Sequence, residues 1–169
     1  MELEFFLIDD SKKTLRIPAS PRSGKRHKAG EILSIRVLDQ FDDFFSQLYD
    51  ACEAMDIPAD TTISEAGLGQ FEINMMHCDD PLKAADDAWL FKLLVKGLAR
   101  RNGFAASFMA KPYEDYAGSG MPTHLSVLDS DRRHPLPDGC PHRTDLLPPS
   151  TPRCVYSLPA PTLAFAPHS

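Results

Sequence analysis

Four glutamates stand where extended segments would carry them on polar faces: Glu2 and Glu4 in ELEFFLI (2–8), Glu65 in TTISEA (61–66) and Glu72 in QFEINMMH (70–77). In the first segment the acids alternate with Leu3 and Phe5, the period-2 signature of a half-buried strand. If these strands are neighbours, the carboxylates converge. Like charges within a few ångströms stay ionised only when a cation sits among them. A site made of oxygen donors alone favours Mg²⁺ or Mn²⁺ over zinc. Taken one at a time, each glutamate reads as an ordinary solvated strand residue, so the metal site depends on the strands pairing.

A second group lies further along the chain. Gly118-Ser119-Gly120 is a flexible backbone turn, and His124 and Ser126 fall on one face of the extended stretch 123–128, where they could donate to phosphate oxygens. The G-x-x-x-x-G-K-[ST] loop is absent, which excludes a P-loop, and there is no G-x-S-x-G or Cys/His nucleophile pattern. His134, Cys140, His142 and Cys154 match no zinc-ligand spacing.

The elements that must position these residues follow from hydropathy periodicity. Phe41, Phe44, Phe45, Leu48, Tyr49, Cys52 and Met55 define an amphipathic helix over 39–56 that ends before Pro58. Residues 61–66 and 70–77 predict a hairpin about Gly67-Leu68-Gly69, with Phe71, Ile73 and Met75 on one face and Gln70, Glu72 and Asn74 on the other. Asp80 as N-cap and Pro81 as first helical residue open a helix over 80–103, stopped by Gly103. Its expected apolar stripe is Leu82, Ala85, Trp89 and Leu93 with Leu90, Leu94 and Leu98. Further strands are expected at 31–38, 104–110 and 123–128, the last two separated by the turn-rich KPYEDYAGSGMP. The class predicted is α+β, an antiparallel sheet flanked by two long helices.

Composition narrows the partners. The 169 residues carry 24 acidic and 18 basic side chains, a net charge of -6, so no phosphate-neutralising surface and no nucleic-acid partner is implied. The basic run Arg22, Lys25, Arg26 and Lys28 reads as solvated loop surface. No stretch reaches the roughly 18 apolar residues of a bilayer span, and four cysteines without a C-x-x-C pair suit reduced packing residues in a cytoplasmic protein. Nine of the 15 prolines lie in the last 35 residues, so 131–169 is expected to be an irregular tail beside a domain at 1–130.

The strings ELEF (2–5), SEAGLGQFEIN (64–74), DPLKAADDAWLFKLLVKGLARRNG (80–103), SFMAKP (107–112) and GSGMPTHLS (118–126) resemble, in order, the catalytic domain of the glutamine synthetase family. HCDDPLKAADD and KPYEDYAGSGM look most like the bacterial branch that joins glutamate to putrescine or other amines. The resemblance implies a ligase in which ATP phosphorylates the γ-carboxylate of glutamate and ammonia or an amine displaces the phosphate. It implies Glu2 as ligand of one Mg²⁺ or Mn²⁺ ion and Glu4, Glu65 and Glu72 as ligands of its neighbour. Gly118 takes the place of the glycine that approaches the amino-acid substrate, and His124 and Ser126 match the H-x-S that contacts ATP.

Departures from the family pattern carry their own expectations. Pro122 stands where the family's GSGMH has a metal-ligating histidine, so the ion at Glu2 is expected to be weakened or lost. The resemblance lapses between about 132 and 161, as after a frameshift or in a decaying gene. The family's small N-terminal domain and its later arginines have no counterpart here, so a partial catalytic domain is expected. It would have little turnover alone and would not build the family's ring homo-oligomers. The alternative is a non-catalytic remnant that binds Mg²⁺ and ATP weakly or not at all.

Overall fold

The computed structural model describes residues 1–11, 16–28 and 30–125. Four strands form one sheet: β1 (Glu2–Ile8), β2 (Ala59–Ser64), β3 (Gln70–Met75) and β4 (Ala105–Ser107), in the order β2-β3-β1-β4. Every pairing is antiparallel. Among the described residues three helices accompany them: α1 (Ile35–Asp39), α2 (Asp42–Ala54) and α3 (Pro81–Arg101). The α+β class and the antiparallel sheet are as the hydropathy pattern predicts.

Alternation along β1 and β3 assigns one face of the sheet to the core. Leu3, Phe5, Leu7, Phe71 and Ile73 are each no more than 1 % exposed and pack against α2 and α3. Phe71 is the hub. Its ring meets Phe45 at 5.1 Å and Phe41 at 5.4 Å, both edge-to-face, and Phe5 at 6.2 Å. Offset and edge-on rings satisfy the aromatic quadrupole, adding to the area term. Burial also pushes the Cys52 thiol up to about 11, so on α2 this cysteine is a packing residue.

The β2–β3 hairpin forms about the predicted glycines. Gln70 N–H donates to Gly67 O at 3.0 Å, Glu65 N–H donates to Gln70 O at 2.9 Å, and Gly69 takes φ +74°, a left-handed conformation that suits glycine. The α3 start is also as expected: Asp80 accepts from Leu82 N–H and Lys83 N–H, with Pro81 in the first turn.

Four expectations are corrected. Residues 31–38 do not form a strand. Ser34 Oγ accepts from Val37 N–H, which caps α1 and turns the chain helical from Ile35. The strand expected over 104–110 shortens to β4, which pairs only with Phe6–Ile8 before Ser107 Oγ takes the Met109 N–H. Thr123–Leu125 are not in a strand, and 126–128 lie outside the described residues. The fourth concerns α3. Its buried side is Asp87, Ala88, Phe91, Val95, Leu98 and Ala99, while Leu82, Trp89 and Leu93 are exposed and Leu90 and Leu94 are partly buried. The helix is apolar on several sides, so periodicity alone selects no single face, and packing on the sheet does. Asp87 enters the buried side with its charge matched by Lys83 at 2.8 Å.

Met1–Thr123 form one compact unit, and a second begins at His124. Of that second unit only His124 and Leu125 are described. The proline-rich tail predicted at 131–169, with His134, Cys140, His142 and Cys154, lies outside the described residues. Among the described residues no helix is long and apolar enough to cross a membrane.

Candidate functional site

The face of the sheet opposite the core carries the acids. Pairing of β1 with β3 sets Glu4 directly opposite Glu72 and Glu2 opposite Asn74. In a two-residue period these side chains share one face with Gln70, and Glu65 joins the same row where β2 ends. Glu72 is 8 % exposed and accepts from Asn74 Nδ2 at 3.0 Å. Burial raises its pKa above the ordinary carboxylate value, and the charges of Glu2, Glu65 and Glu4 raise it further. Glu2, Glu4 and Glu65 therefore each lie within electrostatic reach of Glu72. No three ligand-type side chains among the described residues stand at metal-binding spacing, so the carboxylates share a face without closing a cage.

The glycine loop reaches this face from the other end of the chain. Ser119 N–H donates to Ala110 O at 2.8 Å, and a β-carbon on Gly118 would come within 2.7 Å of that same carbonyl. A β-carbon on Gly120 would stand 3.2 Å from Glu4 Oε1. The two glycines let the backbone lie against Ala110 and Glu4 respectively. Two residues on, Pro122 O accepts from Glu2 N–H at 2.9 Å. Position 122 is thus beside Glu2, and its side chain offers no donor atom to an ion.

Residues 1–140 match the family model described as the glutamine synthetase catalytic domain. The chain belongs to the glutamine synthetase family. It is 39 % identical over 141 residues to the γ-glutamylputrescine synthetase PuuA of Escherichia coli K12, covering 82 % of this chain and 30 % of that protein. It is 34 % identical over 128 residues to a glutamate–isopropylamine ligase of a Pseudomonas species, covering 76 % of this chain and 28 % of the relative. Among solved structures, GmaS in complex with ADP superposes with a TM-score of 0.58 at 29 % identity, covering 69 % of this chain and 26 % of that one. The chain spans under a third of the length of these relatives.

Within this glutamine synthetase-family chain, Glu2, Glu4, Glu65, Glu72 and Gly118 all belong to the Met1–Thr123 unit, whereas His124 begins the second unit and Ser126 lies outside the described residues. A cleft of about 370 Å³ lined by Arg16, Arg26, Tyr113 and Tyr116 contains none of the predicted site residues. Gln70 has no role in the sequence pattern and acquires one in the structure. It is 2 % exposed, and its amide contacts Glu4, Gly67, Gly118 and Ser119. The only signal in the sequence was an amide on a strand face otherwise given to acids.

Proposed function

We propose that this chain contributes the metal-bearing face of an ATP-dependent ligase that joins the γ-carboxylate of glutamate to ammonia or an amine. The carrying observation is the pairing that sets Glu4 opposite the buried Glu72 on the sheet face that also holds Glu2, with Glu65 joining where β2 ends. A donor set made wholly of carboxylate oxygens suits a hard divalent cation, Mg²⁺ or Mn²⁺. Glu2 would hold one ion and Glu4, Glu65 and Glu72 its neighbour. The chemistry supplied there is neutralisation of charge on a phosphoryl group passing from ATP to glutamate. The names of the two ligases to which the chain is similar support putrescine-like or other alkyl amines as acceptors.

The chain's own residues supply the rest of this reading. Gly118 offers backbone without a side chain where the amino-acid substrate would approach, and His124 and Ser126 are assigned to ATP. The free thiols of Cys52 and Cys78 support a reducing, cytoplasmic setting, and the net charge of -6 supports partners other than nucleic acid. Pro122 beside Glu2 favours a weaker ion there and little turnover by these 169 residues alone. A non-catalytic role with weak Mg²⁺ and ATP binding is the second reading, and it rests on that same proline.

Thermal unfolding with and without Mn²⁺ and ATP tests the proposal. A ligand that binds only the folded chain stabilises it, and at about a hundredfold excess over its Kd the midpoint should rise by roughly 5–10 °C. No shift at millimolar ligand would remove the nucleotide–metal site. Pro122→His should enlarge the Mn²⁺ shift if the missing donor is what weakens the ion at Glu2.

A further inference from the structure

Gln70 is the most connected polar residue on the acidic face, and its contacts fix how its amide is oriented. Gly67 N–H lies 3.0 Å from Oε1 and can only donate, so that atom must be the carbonyl oxygen. On the other side, Nε2 lies 3.0 Å from Glu4 Oε2, 3.0 Å from Gly118 O and 3.3 Å from Ser119 Oγ. A carboxylate and a carbonyl can only accept, which makes Nε2 the donor to both. One buried amide therefore ties together the β2–β3 turn, the middle of β1 and the glycine loop, segments 48 and 66 residues from it in sequence.

The same geometry divides the two oxygens of Glu4. Oε2 is taken by Gln70, while Oε1 is the oxygen beside Gly120. The carboxylate is held by one oxygen and presents the other. The Glu4 head group is linked to Gly118 and Ser119 through an amide that is itself anchored at Gly67.

We propose that Gln70 is a positioning residue: its carboxamide couples the Glu4 carboxylate to the Gly118–Ser119 loop, so that orienting the metal-binding oxygen and ordering the substrate-side loop are one event. This rests on the reading of Glu4 as a cation ligand and of the loop as the substrate side. Hydrogen bonds to a charged group are among the stronger ones, and removing the donor takes the shared partner from Glu4 Oε2 and Gly118 O at once.

The test uses the full chain, amide hydrogen exchange at Ser119 and Mn²⁺ titration followed by electron paramagnetic resonance. Gln70→Leu should speed exchange at Ser119 by about tenfold and weaken Mn²⁺ binding by about tenfold. Ile73→Val, on the other face of the same strand, should change neither, which separates positioning from a general loss of stability. Exchange and affinity both within twofold of the parent chain in Gln70→Leu would overturn the proposal. Glu4→Gln keeps the shape of the acid and covers the case in which Gln70→Leu does not fold. It should speed Ser119 exchange in the parent chain, and unchanged exchange there would also overturn the coupling. If the parent chain takes up no Mn²⁺, the metal reading falls by itself, and the coupling is then decided by exchange alone. In that case Glu4→Gln must loosen the loop when Gln70 is present and not when it is leucine, whereas an equal effect in both backgrounds counts against it.

Discussion

The two faces of the sheet are built from the same strands and differ in almost every physical respect. On one, Phe5, Phe71, Ile73 and their helical partners are dry, interlocked and indifferent to pH. On the other, the charges of Glu2, Glu65 and Glu4 all bear on the buried Glu72, with hydrogen bonds from Asn74 to Glu72 and from Gln70 to Glu4 giving partial relief. The helix-covered face supplies the stability that allows the acidic face to keep an arrangement costly to itself. Mutual repulsion of carboxylates is a burden on folding and an advantage for a cation, which is the trade expected of a binding surface.

Phe71→Ala should give the largest effect, because it removes the ring on which Phe5, Phe41 and Phe45 converge. A loss of about 3–5 kcal/mol is expected in urea unfolding. A loss below 1 kcal/mol would mean that this face is not the source of stability. A sharper form of the comparison uses α3. Phe91→Ala should cost about 3 kcal/mol, whereas Trp89→Ala, on the outward side of the same helix, should stay within about 0.5 kcal/mol. Reversed magnitudes would put the helix on the sheet by its other side.

The smallest change, with the most informative sign, is Glu72→Gln on the acidic face. The folded-state pKa of Glu72 is raised, so protonation favours folding. Its ionised form is a penalty that is present above the folded pKa and disappears as pH falls towards the unfolded value. In metal-free protein the variant should therefore unfold at a slightly higher temperature than the parent near pH 7, and the gap should close on acidification. With Mn²⁺ present the order should invert, because the variant has lost a charged ligand. A parent chain that is the more stable at neutral pH without metal would contradict the crowding.

Much of this contrast is legible in the residues. ELEFFLI and QFEINM alternate strictly enough to name both faces, and the α2 phenylalanines fall at helical spacing. What the pattern could not settle has physical reasons. The stretch 31–38 looks extended until the capping bond of Ser34 is known. The helix of 80–103 has leucines on several sides, so its buried face is chosen by the sheet rather than by its own period. Gln70 was invisible as a functional residue because its partners, Glu4 and Gly118, are brought to it only by the tertiary fold. Pro122, by contrast, was visible from the sequence alone, and the structure sets it beside Glu2.

That proline has a second consequence, for association between molecules. Among the described residues, the short β4 pairs with only the Phe6–Ile8 end of β1. Pro122 O already takes the Glu2 N–H, and a proline has no N–H with which to extend a ladder. At the opposite border of the sheet, β2 breaks its register between Ala59 and Thr62. Among the described residues both stretches are thus poor templates for a foreign strand, a safeguard against edge-to-edge aggregation in a chain whose central strands are rich in phenylalanine.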